Sequence, residues 1–353
     1  MMLDSSKVTR MPIEPEPSPL PPLGGLRALV AGVDALAAAR RDGVLCVVVG
    51  SSGSTYRKPG ALILLDAAGV RVGALSGGCL EAELEARARD VLANGSAQHA
   101  RFDTSGDEDR VFGSGTGCGG STDVLLLPLP ASAAPLRRAL RAADAQDIEL
   151  VLSLVLQGER LGAGAAEAGE ERHCFDERGD TIDDALAPTE AATVRIAPAP
   201  RVLLLGAGPE TQPLLALTRR LGWRVELAEH RERWLRFAAS AGIDAEHRDG
   251  PEVFDTIIRR ARFDAALVMN HNLDLDARSL RALAASQIPY IGLLGPPARR
   301  DELLREIGDA SGAQLGARLR APVGLPLGGE GAEAIALAIA AELQREFSRG
   351  TDA

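Results

Sequence analysis

One stretch restricts the fold of this chain more than any other: residues 201–231, RVLLLGAGPETQPLLALTRRLGWRVELAEHR. The pattern predicts a buried strand, a glycine turn, a helix and a second strand, which together open a doubly wound parallel sheet. Two further apolar strands follow in FDAALVMN and YIGLLG, and each leads into a helical segment. Strands that alternate with helices predict a C-terminal, Rossmann-like, doubly wound parallel-sheet domain over residues 198–347.

The region before this domain has a different pattern. Residues 26–197 predict a mixed α/β domain that starts with a helix at 26–41 and contains the strands CVVVG, ALILLD, HARFD and DVLLLPL. An amphipathic helix precedes Gly95, a residue type that commonly ends helices. We expect a flexible insert at GAGAAEAG and a solvent-facing hairpin around Cys174. The proline-rich residues 1–25 and the short segment 348–353 are predicted to be tails.

The composition of the 353 residues excludes several classes of protein. A formal charge of −10 and an aromatic content of 3% argue against a nucleic-acid-binding surface. The apolar runs are far shorter than the roughly 20 residues of a membrane helix. Because the first residues also lack an apolar signal core, we expect a cytoplasmic protein without a membrane span. The four cysteines do not have the spacing of a structural zinc site.

Two glycine-rich turns each contain one cysteine: GTGCGGST at residues 115–122 and SGGCLE at residues 76–81. Glycine lets a ligand approach the main chain, and successive N–H groups in such turns bind anions. The Cys79 thiol is also predicted to lie near a helix N-terminus, which favours its thiolate. The alternative is a small buried residue at a tight turn. The candidate binding residues of these turns are Cys118, Gly117, Gly119, Gly120, Cys79, Gly77 and Gly78.

The loop SSGSTYRKPG, at residues 51–60, joins two predicted strands and carries Arg57 and Lys58. Its hydroxyl groups and cations are suited to bind a phosphate or a carboxylate. Lys58 is one of only two lysines in the chain. The alternative is a solvated connection.

The glycine turn of the C-terminal domain partly matches a dinucleotide-binding motif. Gly206 and Gly208 follow a strand and open a helix, but Thr211 stands where the third glycine is expected. Glu229 ends the second strand, where an acidic residue takes the ribose hydroxyls of NAD. The missing third glycine favours a Rossmann scaffold whose loop packs internally or holds another phosphate, and the alternative is an NAD(P) site.

His271 follows the strand FDAALVMN at its carboxyl end, where open α/β sheets bind ligands. We interpret it as an acid, a base or a ligand, with Arg231 near the same crevice. The alternative is a turn histidine beside a helix N-cap at Asp274 or Asp276.

Taken in order, these segments resemble the XdhC/CoxI family. Three segments resemble its N-terminal domain: SSGSTYRKPGALILL, GALSGGCLEAEL and GTGCGG. Four segments resemble its C-terminal Rossmann domain: GAGPETQPLLALTRRLGW, MNHNLDLD, YIGLLGPPARR and APVGLPLGGEGAEAIALAIAAEL. The resemblance runs from about residue 26 to about residue 343. This chain departs from the family's usual residues at Pro209, Glu210, Glu229 and Pro297.

The resemblance implies a chaperone for the molybdenum cofactor of xanthine dehydrogenase-type and CO dehydrogenase-type enzymes. Such a protein binds the cofactor, supports its sulfuration and inserts it into the enzyme. The implied partners are a client molybdoenzyme and a cysteine desulfurase. Cys118 is the implied main thiol and molybdenum contact, and Cys79 the second.

We therefore expect an accessory protein without turnover. An alanine-rich terminal helix and the oligomeric state implied by the family resemblance indicate a homodimer. The competing functions are an NAD(P)-dependent oxidoreductase and a nucleotide-sensing regulator.

Overall fold

A computed structural model describes residues 24–103, 119–132, 134–188, 191–248 and 254–348. Within these ranges the chain forms three β-sheets, two antiparallel and one parallel. Residues 1–23 of the predicted N-terminal tail, Gly117 and Cys118 lie outside the described residues, as do the last five residues of the chain.

The first sheet has five antiparallel strands in the order β3-β2-β1-β5-β4. Its strands are β1 (Gly43–Gly53), β2 (Leu62–Asp66), β3 (Gly69–Val72), β4 (Gln98–Asp103) and β5 (Gly120–Leu129), accompanied by helices α1 (Gly25–Ala38) and α2 (Glu81–Asn94). Helix α2 buries Leu84, Ala88 and Val91 against one face of the sheet, and α1 lies in the core of the other face. Gly95 ends α2 with a φ of 65°, which confirms the predicted C-cap.

The second sheet has four antiparallel strands in the order β8-β7-β6-β9 and packs with helix α3 (Ala134–Gln146). Its strands are β6 (Leu150–Leu154), β7 (Gly164–Ala168), β8 (Glu171–Phe175) and β9 (Ala192–Ile196). A short 3₁₀ helix lies between β8 and β9, at Asp184–Leu186.

Two predictions for this region are wrong. The GAGAAEAG segment is not a flexible insert, because it contains β7, an interior strand that pairs with β6 and β8. Its small side chains are buried and allow close packing. The hairpin around Cys174 is present, closed by an antiparallel bridge between Phe175 and Thr181. Its predicted exposure is wrong, since Cys174 is 4% exposed because β8 pairs with β7 and turns this residue inward. Its thiol donates to an Asp184 carboxylate oxygen at 3.1 Å.

The third sheet has six parallel strands in the order β12-β11-β10-β13-β14-β15 and confirms the predicted Rossmann-like architecture. Its strands are β10 (Arg201–Leu205), β11 (Arg224–Ala228), β12 (Ala245–His247), β13 (Ala265–Val268), β14 (Tyr290–Leu293) and β15 (Leu319–Arg320). Its helices are α4 (Thr211–Leu221), α5 (Glu232–Ala241), α6 (Phe254–Arg260), α7 (Leu273–Ala284), α8 (Pro297–Ile307), α9 (Asp309–Leu315) and α10 (Ala332–Ser348). A 3₁₀ turn at Gly316–Arg318 precedes β15.

Helices cover both faces of this sheet. Helices α4, α5 and α10 pack on one face, and α6 to α9 pack on the other. In α10, Ile339 and Leu343 are buried, whereas Ile335, near the start of the helix, is 38% exposed. The strand order reverses between β10 and β13, and this switch point is where open α/β sheets form a crevice.

Ion pairs link the parallel-sheet domain to the N-terminal half. Arg224 contacts the Asp144 carboxylate at 2.7 Å, and Arg27 pairs with Asp244 while donating to the Trp223 carbonyl at 2.9 Å. Among the described helices, none has both the length and the apolar character that crossing a membrane requires.

Candidate functional site

The first candidate site lies at one edge of the five-stranded sheet. Strands β1, β3 and β4 end at this edge, and β2 and β5 begin there, because all neighbouring pairs are antiparallel. The topology therefore places the Arg57–Lys58 loop, the Cys79 loop and the start of β5 at the same edge. Gly53 at the end of β1 pairs with Gly120 at the start of β5.

Glu81 holds the Cys79 loop in place from the first turn of α2. One of its carboxylate oxygens accepts hydrogen bonds from the main-chain N–H groups of Leu75, at 3.1 Å, and Ser76, at 2.8 Å. Its other oxygen accepts from the Ser76 hydroxyl. Burial opposes the ionisation of Glu81, but these hydrogen bonds hold its pKa below the usual value. A partly buried carboxylate thus fixes the loop that carries the thiol.

Ser76 supports the loop a second time, through its Oγ atom. This atom accepts from the N–H groups of Gly78 and Leu80, each at 3.1 Å. The N–H groups of Gly77 and Cys79 have no hydrogen-bond partner among the described residues. Alternate donors of the loop are therefore satisfied internally, while the donors between them remain available to a ligand.

Space is open around this loop. A β-carbon added to Gly77 or Gly78 would meet nothing within 4 Å, and Cys79 is exposed. Cys79 lies two residues before the first residue of α2, so it precedes the helix and is not part of it.

In contrast, Cys46 is fully buried, and burial raises the pKa of its thiol well above the usual value. Cys46 is therefore a core residue of the first sheet.

The start of β5 carries the end of the second cysteine turn. Gly119 has a φ of 66° and open space where a β-carbon would lie. Gly120 packs tightly, since a β-carbon there would lie 2.4 Å from the Ser54 carbonyl oxygen. The neighbouring Gly117 and Cys118 lie outside the described residues.

Three polar side chains outside the predicted site residues lie beside this turn. The hydroxyls of Ser52 and Ser121 are 2.9 Å apart, and Arg101 Nη2 donates to the Ser121 hydroxyl at 3.0 Å. They come from three strands, and only the pairing of β1 and β4 with β5 brings them together. No local sequence signal identifies such a cluster.

The Arg57–Lys58 loop has one unsatisfied donor. Arg57 Nε is buried and has no hydrogen-bond partner among the described residues. Lys58 Nζ donates to the Thr55 hydroxyl at 3.2 Å, and the same hydroxyl donates to the Arg57 carbonyl at 3.0 Å. The loop is therefore a folded turn that carries cationic groups, and most of its residues are exposed to solvent.

The second candidate site is the crevice of the parallel sheet, where Gly206 follows β10. Gly206 has a φ of 87°, and a β-carbon there would lie 2.4 Å from the Cα atom of Asn270. The next two main-chain donors are occupied by the protein itself. Ala207 N–H donates to Glu229 Oε2 at 3.0 Å, and Gly208 N–H donates to the Thr211 hydroxyl at 2.9 Å.

Glu229 and Arg231 form a tight pair that is bound to the glycine loop. The Glu229 side chain is 1% exposed. It accepts from Arg231 Nε at 2.9 Å and from Arg231 Nη2 at 2.6 Å, and the same Nη2 donates to the Ala207 carbonyl at 2.7 Å. Burial opposes ionisation, yet the bonds from Arg231 hold the pKa of Glu229 below its usual value.

His271 lies opposite this pair, after β13. It adopts a left-handed φ of 56°, and its Nε2 atom lies 3.0 Å from Glu210 Oε1. The bond to Glu210 raises the pKa of His271, although partial burial and the charge of Arg231 oppose the shift.

The predicted N-cap at Asp274 or Asp276 is wrong. Asn272 caps α7 instead, because its side chain accepts from the Leu275 N–H at 3.0 Å.

Asp276 has a different role at the same crevice. It is 1% exposed and accepts from the Asn270 main chain at 3.1 Å and from Arg299 Nη2 at 2.6 Å. Arg299 and Glu210 also belong to this site, although no sequence motif identifies them. Their partners lie 23 and 61 residues away along the chain, so only the fold reveals the pairs.

The predicted residues therefore fall into two groups at two sheet edges. The first group contains Cys79, Gly77, Gly78, Gly119, Gly120, Arg57 and Lys58. The second contains Gly206, Gly208, Glu229, Arg231 and His271. Within the described ranges, no group of three or more His, Cys, Asp or Glu side chains is placed to hold a metal ion.

Comparison with known proteins agrees with this two-domain arrangement. A sequence model described as the XdhC Rossmann domain matches residues 202–343, and one described as the XdhC and CoxI family matches residues 36–103. The chain is 28% identical over 324 residues to a protein of Bacillus subtilis (strain 168) that is named as a probable subunit of xanthine dehydrogenase. This match covers 88% of this chain and 95% of that protein.

A solved structure extends the match to three dimensions. The crystal structure of a xanthine dehydrogenase from Bacillus halodurans superposes with a TM-score of 0.73 at 26% identity. The match covers 91% of this chain and 96% of the other. Both halves of the chain thus match the same family in order, and the chain belongs to the XdhC and CoxI family.

Proposed function

We propose that this protein acts in the maturation of a xanthine dehydrogenase-type or CO dehydrogenase-type molybdoenzyme. In this role it binds the molybdenum cofactor, supports its sulfuration and passes it to the enzyme. Family membership and the relatives' names, both of xanthine dehydrogenase, support the link to this enzyme class. The observation that carries the binding step is the open loop at the edge of the five-stranded sheet, where the exposed Cys79 thiol lies beside two main-chain N–H groups that have no partner among the described residues.

The residues present at this edge fit such a cofactor. A molybdenum cofactor combines a soft metal centre with a terminal phosphate, so it needs a soft ligand and anion donors. The exposed Cys79 supplies a thiol, and the N–H groups of Gly77 and Cys79, which have no partner within the described ranges, supply donors. The unpartnered Arg57 Nε supplies a cationic donor. The open space over Gly77, Gly78 and Gly119 gives the ligand room to approach.

Each group of residues has a separate part in this proposal. Cys118 is the main thiol that contacts molybdenum, as the family motif implies, and Cys79 is the second. Arg57 and Lys58 hold the phosphate. Glu81 and Ser76 hold the Cys79 loop, so that the thiol and the free N–H groups keep their positions. Few strong anchors are involved, which suits a protein that must release what it binds.

The partners in this proposal are a client molybdoenzyme and a cysteine desulfurase. We further propose that the protein acts in the cytoplasm as a homodimer and has no turnover of its own.

The test is to purify the protein from a host that synthesises the cofactor and to assay molybdenum and the fluorescence of the oxidised pterin. The control is the same protein from a host that lacks cofactor synthesis. Molybdenum and pterin in equal amounts, found only in the first preparation, are the expected result. If neither accompanies the protein from the competent host, the binding proposal fails.

A further inference from the structure

The glycine loop of the parallel sheet is closed by its own side chains. In a dinucleotide site, the loop N–H groups and the space beside the second glycine belong to the pyrophosphate. Here Glu229 and Thr211 accept from those N–H groups. A β-carbon on Gly208 would lie 2.3 Å from His271 Nε2, so the imidazole fills that space. The residues present therefore do not fit a dinucleotide.

The acidic residue that would bind ribose is also occupied. Glu229 is 1% exposed, and both of its carboxylate oxygens accept from Arg231. To take ribose hydroxyls, it would have to break bonds to both Arg231 and the Ala207 N–H.

The crevice nevertheless presents cations to its surface. Three nearly buried carboxylates each lie beneath a more exposed cation: Glu229 beneath Arg231, Glu210 beneath His271, and Asp276 beneath Arg299. The carboxylates have side-chain exposures of 1 to 4%, whereas Arg231 and His271 are 37% and 46% exposed. Solvent at the crevice therefore meets N–H donors before it meets carboxylate oxygens.

Two of these donors remain unused. Arg231 Nη1 and His271 Nδ1 have no hydrogen-bond partner among the described residues. The two side chains lie on either side of the glycine loop, since Arg231 binds the Ala207 carbonyl and His271 lies against Gly208. They are close enough for Arg231 to oppose the protonation of His271. An anion between them would relieve that repulsion and accept from both.

We propose that the crevice at the carboxyl ends of β10, β11 and β13 binds a single phosphoryl oxyanion through the side chains of Arg231 and His271, in place of a dinucleotide. The oxyanion is either free phosphate or the phosphate of a small monoester, because both present the same tetrahedral group. This site is separate from the cysteine edge, and the proposal stands without cofactor binding there.

The test is isothermal titration of the full chain at one fixed pH with inorganic phosphate, ribose 5-phosphate and NAD⁺. The principal variant is His271→Asn, because asparagine tolerates the left-handed backbone at this position. The matched control is His173→Asn, which removes another histidine that is paired with a glutamate, on β8.

A second variant guards against misfolding. Arg231→Gln combined with Glu229→Gln replaces the buried ion pair by a neutral amide pair, so no charge is left unpaired. Its control is Arg259→Gln, which removes a 78% exposed arginine on α6. Circular dichroism checks that each variant is folded.

We expect the wild-type protein to bind phosphate or ribose 5-phosphate, and each crevice variant to weaken this binding about tenfold, as loss of a charge-assisted hydrogen bond does. The controls should bind as wild type, and NAD⁺ should bind more weakly than ribose 5-phosphate. Tighter binding of ribose 5-phosphate than of phosphate assigns the site to a monoester, and equal binding assigns it to the free ion. If wild type binds neither, if folded crevice variants bind as wild type, or if NAD⁺ binds most tightly, the proposal is wrong.

Discussion

His271 Nε2 lies 3.0 Å from Glu210 Oε1, and both atoms occupy the space that a β-carbon at position 208 would need. The second glycine of the loop is therefore required by the protein's own side chains. In dinucleotide-binding proteins, the equivalent glycine leaves room for a pyrophosphate. The same motif thus has a different structural purpose in this chain.

Gly208→Ala should destabilise the protein. The new β-carbon would lie 2.3 Å from His271 Nε2 and 2.5 Å from Glu210 Oε1, so the pair must separate or the loop must move. We expect a loss of about 1–3 kcal/mol in the free energy of unfolding, measured by urea denaturation.

The matched control for that substitution is Gly77→Ala. A β-carbon there meets nothing within 4 Å, and the φ of Gly77 is not left-handed. We expect an unchanged stability or a gain of at most about 1 kcal/mol. Equal losses from both alanine substitutions would show that crowding at residue 208 is not the cause.

The contribution of His271 to stability should depend on pH. Its pKa is raised in the folded protein by Glu210, with Asp276 adding to the shift and Arg231 opposing it. Because the pKa is higher in the folded state, the stabilisation from this histidine is fully present below its ordinary pKa of about 6.5. It is lost as the pH rises through the pKa of the folded state. The stability difference between wild type and His271→Asn should therefore be larger at about pH 5.5 than at about pH 8.5. A difference that is constant, or that grows with pH, contradicts the assigned pair.

Features encoded by local pattern could be predicted from the sequence. Helix α2 has its apolar stripe and ends at a left-handed glycine, so both its face and its end follow from local rules. The parallel sheet follows from the alternation of strands and helices. In contrast, β7 has the composition of a flexible linker, and only its pairing with β6 and β8 makes it a strand.

The candidate sites divide in the same way. Gly206, Gly208 and Glu229 belong to a recognisable motif, and the structure places them in one crevice. The partners that close this crevice were not predictable, because Glu210 and His271 are 61 residues apart and carry no joint signal.

Glu81→Ala should loosen the Cys79 loop. The carboxylate accepts from two N–H groups and from the Ser76 hydroxyl, and a hydrogen bond to a charged group makes a net contribution of about 1.5–3 kcal/mol. We expect a loss of about 2 kcal/mol in the free energy of unfolding at neutral pH, measured by urea denaturation. Glu83→Ala is the control, since it removes an acidic residue from the same helical turn but loses only an exposed pair with Arg87, worth about 0.5 kcal/mol.

Acid should remove the effect of Glu81→Ala. The pKa of Glu81 is lowered in the folded state, so its contribution is present above the unfolded value of 4.5 and is lost as the pH falls through the folded value. The stability difference from wild type should shrink below pH 4.5. A difference that stays constant to low pH would exclude the charged form as the source of stability.

Cys79 should react with iodoacetamide in the native protein, and Cys46 and Cys174 should not. Cys79 is exposed, whereas the other two are buried. Peptide mass spectrometry after brief labelling, with a denatured sample as the control, gives the result for each cysteine separately. Labelling of Cys46 at the rate of Cys79 would contradict the packing of the first sheet.

The central claim is that a thiol at the edge of the five-stranded sheet anchors the molybdenum cofactor. The most direct measurement is anaerobic titration of the cofactor into wild type, Cys118→Ala and Cys79→Ala, after circular dichroism has shown each to be folded. We predict that Cys118→Ala loses most of the binding and that Cys79→Ala loses less. If Cys79→Ala alone loses binding, the main thiol has been assigned to the wrong cysteine. If both variants bind as wild type does, the account of a thiol anchor is contradicted.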